Sequence, residues 1–108
     1  LKDLATSNFT GGDVTVRLQN AHLPGTYAPA LSIPLGLNPR GMVTGDFNGD
    51  GRADLAAAYN GGGAANTRIA VMLGNGNGTF LAPVLYPIPS QPFDVRAADV
   101  NNDGRLDL

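Results

Sequence analysis

The chain has 108 residues, a formal net charge of −2, no cysteine, 15 glycines and eight prolines. A chain of this length can form one small domain, and the lack of cysteine excludes disulfide bonds and thiolate chemistry. The seven lysines and arginines are scattered along the sequence, which gives no support for nucleic-acid binding. No apolar run is long enough to cross a membrane, so we expect no membrane insertion.

Glycine and proline punctuate a series of short segments that alternate apolar and polar residues, which favours strands over helices. In chain order the predicted strands are 4–9, 14–18, 27–33, 41–45, 55–59, 69–73, 80–86 and 94–98. Residues 25–55 align without a gap on residues 78–108, so the chain repeats with a period of about fifty residues. Four antiparallel strands in a repeat of this length are typical of a β-propeller blade. The sequence therefore predicts an all-β fold with two four-stranded antiparallel blades, residues 1–54 and residues 55–108.

Each predicted blade ends in an acidic loop of the same pattern, 46–54 and 99–107. Oxygen-bearing side chains stand at positions 1, 3, 5 and 9 of each loop, and a glycine stands at position 6. This arrangement suits Ca²⁺, a hard cation that takes six to eight oxygen ligands. We expect two calcium sites, each with one backbone carbonyl at position 7. The predicted ligands are Asp46, Asn48, Asp50, the Arg52 carbonyl and Asp54 in the first loop, and Asp99, Asn101, Asp103, the Arg105 carbonyl and Asp107 in the second.

A tight polar turn is the alternative interpretation of each loop, because Asp, Asn and Gly are ordinary turn residues. A turn does not need three neighbouring carboxylates, which repel by about 1 kcal/mol per pair even in water. Mg²⁺ prefers a smaller shell rich in water, and Zn²⁺ prefers His or Cys. An EF-hand is excluded because position 12 of the first loop is Ala57 and the chain contains no glutamate. We therefore expect each loop to connect two strands of a hairpin.

The first loop with its flanks, 45–56, and the later segment 71–80 together resemble the FG-GAP/VCBS-type repeat. This repeat occurs in the propellers of integrin α-subunits and in many bacterial secreted and surface proteins. The first repeat departs from it at residues 19–27, which replace the Gly-Asn-Gly turn of the second repeat. The resemblance implies a propeller braced by calcium, usually extracellular, and does not specify a ligand.

These observations leave three functional classes open. The leading hypothesis is a structural and recognition scaffold of a secreted or cell-surface protein, with a protein or glycan as ligand. The alternatives are the propeller portion of a secreted carbohydrate-active enzyme and a self-assembling structural subunit. We expect no enzymatic activity of the chain itself, because no nucleophile motif surrounds Ser7, Ser32 or Ser90 and the loops use the clustered carboxylates.

Propellers typically need about four to eight blades, whereas this chain holds two repeats. Leu1–Leu4 matches the tail of an acidic loop, and the chain ends at the tail of a complete one. We expect the partners to be further blades, supplied by a longer chain or by identical copies. In the second case, residues 4–9 of one copy would continue the sheet of the next.

Overall fold

The computed structural model describes residues 2–36, 38–62 and 66–108. Within these ranges seven β-strands form two antiparallel sheets, and no α-helix occurs. The strands are β1 (Leu4–Asn8), β2 (Asp13–Arg17), β3 (Leu31–Pro34), β4 (Pro39–Gly45), β5 (Asp54–Asn60), β6 (Thr67–Met72) and β7 (Val84–Pro87). Over the described part of the chain, no helix is long and apolar enough to span a membrane.

Each sheet is a simple meander in which every strand pairs with the next one along the chain. The first sheet has the order β1-β2-β3 and the second the order β4-β5-β6-β7. Their registers agree with the alignment of the two repeats. Thr6 pairs with Thr15 in the first sheet, and the aligned residues Ala57 and Ala70 pair in the second. The predicted all-β fold and its antiparallel pairing are confirmed.

The first sheet has three strands among the described residues, whereas the sequence predicted four. In the second sheet the place beside β5 is filled by β4, which precedes the acidic loop. The fourth strand predicted for the first blade, 41–45, lies within β4 and therefore belongs to the second sheet instead. Leu1, the first residue of the predicted first repeat, lies outside the described residues.

The predicted strand 94–98 does not form. Only Ala98 makes a β-bridge, and its partner is Asp107 at the end of the second acidic loop. In the second sheet the equivalent strand β4 pairs with the seven-residue β5 that follows its loop. Residues 94–97 make no β-bridge among the described residues, so this segment has no comparable strand beside it.

Two strands begin later than predicted because of proline. The segments 27–33 and 80–86 were expected to be extended throughout, but β3 starts at Leu31 and β7 at Val84. Pro29 and Pro83 stand just before these starts, and proline has no backbone N–H to donate to a neighbouring strand. Regular pairing begins only beyond each proline.

The core lies between the two sheets. Its buried members are Val14, Val16, Leu35, Leu55, Ala57, Tyr59, Ala70 and Met72. Side chains alternate across a strand, so the core receives one face of β2 and one face of β5 and β6. Burying a valine or leucine side chain contributes about 1.5–3 kcal/mol, which makes this interface the main source of stability. Ala57 on β5 and Ala70 on β6 are fully buried in this core, and their small side chains allow close approach of the sheets.

The opposite face of the second sheet is partly covered by the C-terminal segment. Val95 is buried, and a Cβ atom placed on Gly41 of β4 would lie 2.4 Å from the Asp94 Cα. A Cβ on Gly45 would lie 2.8 Å from Leu106 Cδ1. Glycine at these β4 positions therefore lets residues 94–107 pack directly on the strand.

The predicted repeat boundary between residues 54 and 55 lies at the junction of the first acidic loop with β5. Since β4 and β5 belong to one sheet, a repeat in the sequence and a sheet in the structure start at different residues. The first acidic loop is thus a connection inside the second sheet.

Candidate metal centres in two acidic loops

The first acidic loop joins the end of β4 at Gly45 to the start of β5 at Asp54, as the sequence predicted for a hairpin connection. Gly49 and Gly51 have φ angles of 78° and 79°, which is the left-handed region that glycine enters without steric cost. These two residues turn the backbone so that successive N–H groups face the loop interior.

Asp46, at position 1, organises this turn. Its Oδ1 atom accepts hydrogen bonds from the N–H of Gly49 (2.7 Å) and Asp50 (3.1 Å), and its Oδ2 atom accepts one from Gly51 (2.8 Å). The Gly51 N–H above all holds the pKa of Asp46 below its ordinary value of 3.8, because these donors stabilise the ionised carboxylate.

Asn48 and Asp50, at positions 3 and 5, continue the network. Asn48 Oδ1 accepts the Asp50 N–H at 3.1 Å, and Asn48 Nδ2 donates to Asp50 Oδ2 at 3.1 Å. Asp50 Oδ1 accepts the Arg52 N–H at 2.9 Å. The Arg52 guanidinium lies 3.9 Å from Asp50 Oδ2 at a solvent-exposed position, where an ion pair contributes little.

Asp54, at position 9, is fully buried. Its Oδ2 atom accepts the N–H of Phe47 in the same loop at 2.9 Å, and its Oδ1 atom accepts the N–H of Gly74 beyond β6 at 2.8 Å. The side chain therefore connects the start of the loop with the turn at the far end of β6. A buried carboxylate that accepts two N–H groups is a strong structural tie.

The second acidic loop adopts nearly the same conformation. Asp99 accepts the N–H groups of Asp103 (3.1 Å) and Gly104 (2.8 Å). Asn101 and Asp103 repeat the bonds of Asn48 and Asp50, and Asp103 Oδ1 accepts the Arg105 N–H at 2.9 Å. Asp107, at position 9, accepts the Val100 N–H at 3.1 Å. The sequence pattern alone thus specifies this loop conformation in two different surroundings.

The donor chemistry of both loops fits a hard divalent cation, since every side chain at positions 1, 3, 5 and 9 carries a carboxylate or amide oxygen. No three acidic or histidine side chains converge on one point within the described residues. The carboxylates instead accept the N–H groups of their own loop. Each bonded carboxylate oxygen keeps a second lone pair, so these bonds leave room for a cation.

Sequence reasoning missed the part that Gly74 plays. A Cβ on this residue would lie 2.1 Å from the Ala53 carbonyl oxygen, so glycine allows this close approach and lets its N–H reach Asp54 without a shift of the turn. The alignment of the two repeats indicates this bond, because the first repeat contains an equivalent one. Asp3 aligns with Asp54, and its Oδ1 atom accepts the N–H of Gln19, the residue aligned with Gly74, at 2.9 Å.

Two antiparallel meanders packed face to face, with an acidic hairpin loop between the first two strands of the complete one, define a repeat module of the β-propeller type. The model of the FG-GAP-like repeat matches residues 1–57 and again residues 46–108. The chain belongs to this family, and the resemblance read from its sequence is confirmed. Searches of the curated proteins and of the solved structures gave no significant match.

Proposed function

We propose that the chain is a calcium-braced propeller module that acts as a structural and recognition scaffold in a secreted or cell-surface protein. The observation that carries this proposal is the shared conformation of two acidic loops of one sequence pattern, 46–54 and 99–107. Each loop gathers oxygen donors along a glycine-turned backbone, as a site for Ca²⁺ requires.

A bound Ca²⁺ ion would attract the carboxylates of each loop, which repel one another without it. Three carboxylates in a nine-residue loop repel one another when no cation is present. A bound ion would stiffen the hairpin between β4 and β5, and the buried side chain of Asp54 would transmit that rigidity to the turn at Gly74. Positions 1, 3, 5 and 9 would supply side-chain oxygens, and Arg52 and Arg105 would supply backbone carbonyls.

The proposed location outside the cell rests on the family and agrees with the calcium affinity that we expect. Extracellular calcium modules bind with dissociation constants of about 10⁻⁴–10⁻³ M, and two exposed loops with few ligands belong in that range. We propose a function in binding rather than in catalysis, because the clustered carboxylates are assigned to calcium and no nucleophile motif surrounds the serines. The proposed partners are further blades and a protein or glycan ligand.

Isothermal titration calorimetry on chelated protein tests the metal sites. We expect two Ca²⁺ ions per chain and much weaker binding of Mg²⁺. Asp50→Ala and Asp103→Ala should each remove one ion from the stoichiometry. Asp94→Ala is the matched control, because Asp94 lies outside both loops and pairs with Arg96 at an exposed position. A stoichiometry near zero, or equal preference for Mg²⁺, would refute the assignment.

A further inference from the structure

Four asparagines of the chain are each followed by glycine, namely Asn48, Asn60, Asn75 and Asn77. An asparagine before glycine can lose its side-chain amide, because the backbone nitrogen of the next residue attacks the side-chain Cγ atom and closes a cyclic imide. Glycine has no side chain that would hinder this ring closure. The hydrogen bonds around each pair therefore decide which asparagine reacts.

In two of these pairs the attacking nitrogen is held by a hydrogen bond. The Gly49 N–H donates to Asp46 Oδ1 at 2.7 Å, and the Gly61 N–H donates to the Asn66 carbonyl oxygen at 3.0 Å. The nitrogen has to lose its proton before it attacks, and the anion formed at Gly49 would lie beside the ionised Asp46 carboxylate, which disfavours it. Both bonds also fix the peptide plane, so these two pairs are protected.

The other two pairs form a largely exposed turn, residues 75–78, between β6 and β7. Gly76 and Gly78 have φ angles of 80° and 88°, which glycine adopts without steric cost. Neither glycine N–H donates a hydrogen bond to any of the described residues. In this turn, therefore, no acceptor from the described part of the chain holds the attacking nitrogens.

Asn77 differs from Asn75 in the bonds of its side chain. Asn77 Oδ1 accepts the Thr79 N–H at 3.0 Å and the Thr79 hydroxyl at 2.6 Å. The first bond folds the side chain over Gly78, and both donors stabilise the negative charge that develops on Oδ1 during the attack. In Asn75 the nitrogen that has to leave, Nδ2, instead donates to Thr79 Oγ1 at 2.9 Å. The turn thus activates Asn77 and restrains Asn75.

We infer that Asn77 is a site of spontaneous deamidation and reacts faster in the folded chain than the other three asparagines. The Gly78 nitrogen gives up its proton and forms a bond to Asn77 Cγ. The bond from Cγ to Nδ2 breaks, and Nδ2 leaves as ammonia with the proton that Gly78 lost. One water molecule then opens the imide at either of its two carbonyl carbons, which yields aspartate or isoaspartate. This inference goes beyond the proposed function and does not depend on calcium.

The product changes the turn at a point where the two repeats touch. A Cβ on Gly78 would lie 2.5 Å from Leu18 Cδ1, so this part of the turn packs directly on the first repeat. Either product adds one negative charge to the formal net charge of −2. In isoaspartate the main chain also runs through the former side-chain carbon, and the longer backbone would displace Gly78 from Leu18.

Peptide mapping by mass spectrometry tests the inference on chelated protein incubated at mildly alkaline pH. In the folded chain Asn77 should convert fastest, Asn75 more slowly, and Asn48 and Asn60 slowest. The same chain in denaturing urea is the control, because it lacks these hydrogen bonds and its four rates should become similar. Thr79→Val removes the hydroxyl and should slow conversion at Asn77 by roughly 3- to 10-fold, the effect of one ordinary hydrogen bond.

Thr79→Ser keeps the hydroxyl and should convert at nearly the wild-type rate. The rate at Asn48 should stay the same in both variants, which separates the effect of the hydroxyl from general loosening of the fold. Conversion of Asn48 or Asn60 as fast as Asn77 in the folded chain would overturn the inference, as would an unchanged rate at Asn77 in Thr79→Val. If that variant does not fold, the comparison of folded and urea-denatured wild type decides. All samples lack calcium, so failure of the metal sites leaves the result intact.

Discussion

Replacing Asp54 by alanine in calcium-free protein removes the tie between the first acidic loop and the Gly74 turn. Each hydrogen bond to a charged acceptor contributes about 1.5–3 kcal/mol, and Asp54 accepts two of them in a fully buried position. Part of this loss is offset because alanine also removes a buried carboxylate. We expect the free energy of unfolding to fall by about 2–4 kcal/mol, a large share of the roughly 5–15 kcal/mol that a domain has.

Asp107→Ala is the matched control, because Asp107 holds the same position in the second loop but accepts one side-chain hydrogen bond, from an exposed residue. Because water can replace this bond at a partly exposed site, the loss of stability should be about 1 kcal/mol. Urea denaturation in chelator, followed by circular dichroism, measures both variants. Asp54→Ala should also lower the melting temperature by about 10–20 °C. Equal losses for the two variants in chelator would refute the structural role of Asp54 and leave only a role in metal binding.

Three further predictions concern the acidic loops and the Gly74 turn. Calcium at about a hundred times its dissociation constant should add roughly 2.7 kcal/mol of stability per site. Asp50→Ala should remove this gain at the first site and Asp103→Ala at the second. A melting temperature that does not change when a chelator is added would contradict this prediction. The pKa of Asp46 is lowered in the folded protein. The ionised Asp46 side chain therefore stabilises the fold above its ordinary pKa of 3.8, and this stabilisation is lost as the pH falls through the lower pKa of the folded state. Acid titration of wild type should therefore show a loss below about pH 4 that Asp46→Asn lacks. Gly74→Ala should destabilise the protein strongly, because the added Cβ would lie 2.1 Å from the Ala53 oxygen. If chemical denaturation finds no loss in the free energy of unfolding, the turn can move to accommodate the Cβ.

Much of the architecture could be predicted from the sequence because the signals were local. The alternation of Val14 to Leu18 and of Ile69 to Leu73 located the middle strands of both sheets, and the spacing of Asp, Asn and Gly located the hairpin loop before β5. Both features depend on a few neighbouring residues. Gly51, the position-6 glycine for which the pattern predicted a sharp turn, has a left-handed φ angle of 79°.

Other features depend on contacts far apart in the chain and were missed. The sequence of residues 94–98 resembles that of β4, but a strand exists only where a second strand pairs with it, and among the described residues only Ala98 of this segment makes a bridge. The tie from Asp54 to Gly74 joins residues 20 positions apart. Nothing in the acidic pattern indicates that position 9 is buried in one loop and partly exposed in the other.

The comparison of the two repeats carries information that neither repeat has alone. Where aligned residues agree, as at positions 1, 3, 5 and 9 of the acidic loops, they specify a conformation that recurs in both copies. Where they differ in polarity, as Thr15 and Ala70 do, the loops and registers are unchanged but the surroundings are not. Alanine at that point lies against the first sheet, and threonine faces solvent within a hydrogen-bond network. The agreements thus describe what the two sheets share, and the differences describe what surrounds each sheet.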